Sequence, residues 1–163
     1  MNMLRRFECV LLALLFSACA TTSTKTKMPT AETTQEWSGR ISLQVQSTPP
    51  QQLNASFALQ GGAQKGQLDV FSPFGTTLAT LHWTPQEAVL HQGNQQKRFT
   101  SITVLTERLT GAQLPMTELF DWLNGQPTAV EGWQTDVSQL GSGWLIATRT
   151  SPAPTVLLKI KLD

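Results

Sequence analysis

Leu53-Asn54-Ala55-Ser56-Phe57-Ala58-Leu59-Gln60-Gly61-Gly62 decides the fold. Apolar Leu53, Ala55, Phe57 and Leu59 alternate with Asn54, Ser56 and Gln60, and a glycine pair ends the run. Successive side chains of a strand point to opposite faces, so this is a strand with one dry and one wet face. The same period runs upstream through Ile41, Leu43 and Val45, separated by Ser42 and Gln44. Downstream it continues in Leu68 and Val70, then in Ala79, Leu81 and Trp83 around Thr80 and His82. Turn formers stand between these runs: Pro49-Pro50, Gly61-Gly62, Ser72-Pro73-Phe74-Gly75, Pro85 and Gly93-Asn94. Short strands joined by short turns make an antiparallel meander rather than βαβ units.

The period then changes. Between Ser101 and Leu109, the residues Ile102, Leu105 and Leu109 fall on one helical face, and Gly111 ends the helix. From Met116 to Asn124, the residues Met116, Leu119, Phe120 and Leu123 sit at i, i+3, i+4 and i+7. Pro115 suits that helix's first turn and Gly125 the position after its end. Strand patterns return at Gly132–Val137, at Trp144–Thr148, and in Val156, Leu158, Ile160 and Leu162. The order predicts a mainly β (α+β) domain, one curved antiparallel sheet with two short helices over its concave face.

Ahead of the domain, Arg5 and Arg6 precede an apolar run from Cys9 to Phe16, then small Ser17 and Ala18, then Cys19. That is the charged, apolar and small-residue order of a signal peptide. A cysteine directly after the small pair resembles the lipobox of bacterial lipoproteins, in which it is acylated and becomes the first mature residue. The apolar run is too short to span a bilayer, which takes about 20 residues. Residues 1–18 are thus expected to be removed. Residues 19–36, rich in Thr and without apolar period, are expected to form an acylated, flexible tether, and 37–163 a single domain. The covalent lipid on Cys19 is the only attached group expected, with no separate cofactor.

Removing 18 of 163 residues leaves 145, enough to bury a core. Without Arg5, Arg6 and Glu8 the 12 basic and 11 acidic residues become ten of each. A neutral, sparsely charged domain offers no footprint for nucleic acid. Both cysteines lie at or before the cleavage point, so the mature body has neither a disulfide nor a thiol nucleophile. His82 and His91 are the only histidines, and no Cys/His/carboxylate grouping has metal-ligand spacing. No glycine-rich loop or nucleophile elbow is present. Glu118 and Asp121 read as a solvated helix face. The chain is expected to be no enzyme.

Five Trp and seven Phe stand beside no Tyr. Periodicity does not distinguish an interior filled by these groups from a hollow one. Phe74 is a different matter, because it occupies a turn between Pro73 and Gly75 where polar residues are usual. Either it folds back onto the domain edge or it projects to meet lipid.

Three segments together resemble the LolB family of outer-membrane lipoprotein receptors. They are Trp37-Ser38-Gly39-Arg40, Ser72-Pro73-Phe74-Gly75-Thr76, and Leu114-Pro115 through Trp122-Leu123-Asn124-Gly125-Gln126-Pro127. The resemblance implies an unclosed antiparallel β-barrel with a helical lid over an apolar cavity for acyl chains of lipoproteins in transit. Its partners would be a LolA-like periplasmic carrier, lipoprotein cargo and outer-membrane lipid, with the protein acting as a monomer on the periplasmic face of the outer membrane. The protruding hairpin, here Pro73, Phe74 and Gly75, would assist transfer into the membrane; the family commonly has Leu at its tip. Alternation then assigns Ile41, Leu43, Phe57, Leu59, Leu68, Val70 and Leu81, with lid residues Leu105, Leu119 and Leu123, to the cavity lining. The family's frequent terminal Trp is missing, since the chain ends at Asp163. The competing reading is a structural or interaction lipoprotein of the envelope with a filled core and no acyl cargo.

Overall fold

The computed structural model describes residues 34–163, so the expected signal segment, Cys19 and most of the tether lie outside the described residues. Six strands come first: β1 (Gln35–Val45), β2 (Gln51–Gly61), β3 (Gly66–Phe71), β4 (Thr77–Trp83), β5 (Ala88–Gln92) and β6 (Gln95–Phe99). Two helices follow, α1 (Ile102–Thr110) and α2 (Met116–Leu123), and then β7 (Trp133–Asp136), β8 (Trp144–Arg149) and β9 (Val156–Leu162). All nine strands form one antiparallel sheet in the order β6-β5-β4-β3-β2-β1-β9-β8-β7. Strands β6 and β7 end the sheet without pairing to each other, so the barrel is unclosed.

Alternation sets the register. Along β2, Ala55, Phe57 and Leu59 are buried while Asn54 and Gln60 are exposed. Neighbouring strands continue the dry face: Leu59 pairs with Leu68, Leu68 with Leu81, and Leu81 with Leu90. On the other side Leu43 pairs with Leu158, which pairs with Ala147. The last strand therefore lies beside the first, inside the sheet between β1 and β8.

Both helices lie where their stripes require. Ser101 caps α1, its hydroxyl accepting the Val104 N–H at 3.2 Å, and Gly111 ends it in the left-handed region at φ 72°. Ile102 and Leu105 face the core. Leu109 does not: it is 44 % exposed, against the expectation from spacing, because it borders an open hollow beside Leu90 and Phe99 rather than packed core. Pro115 stands at the N-cap of α2 rather than inside its first turn.

Two further differences concern strands with little apolar content. Gln35 and Glu36, expected in the tether, already pair with Gly61 and Gln60. Backbone bonding extends β1 there while the side chains remain exposed. Strand β6 (Gln95-Gln96-Lys97-Arg98-Phe99) has no alternation, being an edge strand with its first four residues exposed, and β5 begins with three buried residues in succession.

Candidate functional site

The interior comes first. Leu43, Phe57, Leu59, Leu81, Leu105, Leu119 and Leu123 join one buried cluster, Ile41 and Leu68 pack against it, and Val70 is buried on the same face. The two helices complete this cluster. Phe120 of α2 meets Trp37 at 5.4 Å between ring centroids and Trp83 at 6.3 Å. Trp122 packs on Trp133 at 5.8 Å and donates its indole N–H to the Thr128 carbonyl at 2.9 Å. Leu105, Trp122 and Leu145 have no exposed surface. Nine of the ten residues assigned to a cavity thus belong to this cluster or pack against it, and Val70 is buried on the same face.

Open space lies at the margin. A hollow of about 470 Å³ opens at one end of the sheet. Its walls are the start of α1 (Ser101–Thr103), the approach to α2 and its first turn (Gln113–Glu118), the turns after β2 and β4, and Val130, Glu131, Trp133, Arg149 and Pro152. Ile102 and Met116 belong both to this wall and to the core cluster. A second hollow of about 650 Å³ lies between β5, β6 and the end of α1, lined by Leu90, Phe99 and Leu109 with Gln92, Lys97, Arg98 and Arg108. None of the ten predicted residues lines either hollow.

Arg149 is a buried residue that the strand pattern does not flag. It continues the inward row of β8 after Leu145 and Ala147 and is 6 % exposed. Its place two residues beyond Ala147 is the signal in the sequence, but a charged side chain reads as the end of an apolar row. Its Nη2 donates to the Pro154 carbonyl at 3.1 Å, and its guanidinium centre lies 5.9 Å from the Trp133 ring centroid. Its Nε has no hydrogen-bond partner. A buried polar group without a partner is uncommon in folded proteins.

At the opposite end of β3 and β4 stands the hairpin Ser72–Thr76. The six residues of β3 place it about 20 Å from the hollow. The Ser72 N–H donates to the Thr76 carbonyl at 2.8 Å, and the Gly75 N–H to the Ser72 carbonyl at 2.9 Å. The Ser72 hydroxyl accepts from the N–H groups of Phe74 and Thr76. Gly75 supplies the left-handed residue at φ 80°. The turn is fastened by its own backbone, and Phe74 is 96 % exposed. Leu78, outward on β4, is also exposed.

Both histidines and Asp136 lie outside these hollows. His82 and His91 are diagonal cross-strand neighbours on the wet face, 5.7 Å apart between centroids. Asp136 is held below the usual carboxylate range by the Ser138 hydroxyl and then by the Ser138 N–H. Among the described residues no helix is long and apolar enough to cross a membrane.

Comparison with known proteins places this geometry. A family profile described as outer membrane lipoprotein LolB matches residues 33–149. An outer-membrane lipoprotein LolB of Cupriavidus necator is 32 % identical over 134 aligned positions, covering 78 % of this chain and 68 % of that protein. One of Cupriavidus taiwanensis is 29 % identical over 170 aligned positions, covering 94 % and 84 %. One of Shewanella oneidensis is 31 % identical over 91 positions, covering 56 % and 41 %.

Proposed function

The chain belongs to the LolB family of outer-membrane lipoproteins, and on that premise we propose that it is a receptor for acylated lipoproteins, taking them from a LolA-like periplasmic carrier and inserting them into the outer membrane. Residues 1–18 are its signal peptide. Acylated Cys19 holds it as a monomer on the periplasmic face, since two or more chains anchor stably where one does not.

Cargo acyl chains occupy the space between the sheet and the helices, displacing the packing of Leu105, Leu119 and Leu123 against Leu43, Phe57, Leu59 and Leu81. Transfer from carrier to receptor needs no covalent step. Each tenfold gain in affinity takes about 1.4 kcal/mol, and each additional buried methylene contributes about 0.8 kcal/mol. A slightly deeper apolar seat therefore drives one-way transfer without a nucleotide.

The observation that carries the reading is Phe74. A phenyl ring 96 % exposed on a self-fastened turn has no folding role. Moving such a ring from water into an apolar phase gains roughly 1.5–3 kcal/mol. On a tethered domain the phase within reach is the membrane.

Phe74→Glu tests this, in two assays on one variant: transfer from carrier to receptor, then from receptor to liposomes. Folding and acceptance are expected to stay nearly intact, while delivery falls at least tenfold, because a charge opposes entry into the apolar layer. Equal loss in both steps points to misfolding or docking, and no loss in either makes the tip a passive turn; both outcomes defeat the assignment.

A further inference from the structure

The margin hollow contains a buried cation without a counter-charge. Arg149 lines it, is 6 % exposed, and has no carboxylate within ion-pairing distance among the described residues. Two of its groups are engaged, Nη2 with the Pro154 carbonyl and the guanidinium plane with Trp133. The Nε–H remains a donor without an acceptor. Leaving such a donor unpaired costs free energy that an arriving acceptor recovers.

The charge around Arg149 selects the acceptor. Glu118 and Glu131 line the same hollow, so an incoming anion meets two carboxylates for one guanidinium. A neutral oxygen meets no such repulsion. The apolar wall adds a second condition. Ile102 and Met116 join the hollow to the core, so a ligand can seat a polar head beside Arg149 and run its chain inward. An uncharged head bearing carbonyl oxygens, attached to long alkyl chains, satisfies both.

We propose that this hollow seats the ester carbonyls at the head of an acylated glyceryl group, with the Arg149 Nε–H as the donor. The inference rests on the receptor reading and adds where the cargo's lipid head sits. Outward movement of the helices that admits a chain to the core also widens the hollow, because Ile102 and Met116 wall both. The head is held at one end of β3 and β4, and Phe74 projects at the other. Receiving and delivering are thereby placed at different ends of the domain.

The test uses the full chain in nonionic micelles, with quenching of tryptophan fluorescence by three brominated probes: a dipalmitoylglycerol, a hexadecane and a palmitate. Arg149→Met keeps the apolar stem and removes every donor. It is expected to weaken the diacylglycerol roughly tenfold and leave the alkane unchanged, since a hydrogen bond to a charged group is worth about that factor. Equal loss for both probes makes Arg149 a packing residue, and no loss makes it idle; each overturns the proposal. A loss confined to palmitate overturns it in favour of an anion site. If the wild-type protein quenches with none of the three, the receptor reading falls along with this one. Arg149→Lys guards against misfolding of the methionine variant, judged by circular dichroism. It keeps the cation but carries no Nε–H, so the same ester-selective loss is expected, and unchanged ester binding rejects the Nε assignment.

Discussion

Gly66 has no room for a side chain. A Cβ there would run into the Trp83 ring and the Gln60 carbonyl. Trp83 is not free to yield, being 2 % exposed and held by its indole N–H to the Gly62 carbonyl at 3.0 Å. Gly66→Ala is therefore expected to destabilise the domain by about 1–3 kcal/mol, the usual cost of overpacking. Gly62 gives the contrast, since a Cβ there meets nothing within 4 Å. Gly62→Ala should change stability by less than about 0.5 kcal/mol. Urea denaturation followed by tryptophan fluorescence measures both, and equal midpoints would show that Trp83 has another place to go. Phe74 and Arg149 are the opposite cases to Gly66: one side chain projects into solvent, and the other is buried with an unused donor. Neither the exposed ring nor the unused donor contributes to folding, and the proposed receptor role gives each a use.

Strands whose side chains alternate are legible in the amino-acid sequence, because burial imposes the pattern: β1 through Ile41, Leu43 and Val45, and β2 through Ala55, Phe57 and Leu59. Strand β6 is not, because an edge strand held by backbone bonds places no demand on Gln95–Arg98. Helix spacing is legible but leaves one ambiguity, the extent of the surface that the apolar stripe covers. On α1, Leu105 has no exposed surface, whereas Leu109, one turn on, is 44 % exposed beside Leu90 and Phe99. Leu105→Ala should cost about 2–5 kcal/mol and Leu109→Ala well under about 1 kcal/mol. Thermal or urea unfolding of the two variants separates them. Equal losses would mean that the end of α1 packs more tightly than its exposure implies.

Whether the interior is full or hollow is not legible in the sequence, because alternation reports which way a side chain faces and not what it touches. With the helices in place, nine of the ten residues assigned to a cavity pack in or against one buried cluster together with Phe120, Trp83 and Trp122. A domain of this kind admits acyl chains only by exchanging one packing for another, and its construction determines which part gives way. Strands β1 and β2 are each bonded on both sides, β1 to β2 and β9, and β2 to β1 and β3. Helices α1 and α2 are nine and eight residues long. Isolated helices shorter than about 12–15 residues are marginal in water, so these two depend on packing against the sheet. Their local opening is accordingly the less costly route. Amide hydrogen exchange with and without a saturating diacylglycerol is expected to show at least severalfold faster exchange in 102–123 while the ligand is bound. Exchange in β1 and β2 should stay as slow as in the free protein. Slower exchange everywhere would mean that the ligand enters a space already present, and faster exchange in β1 and β9 would mean that the sheet parts instead. Either result removes the helices from the role of lid.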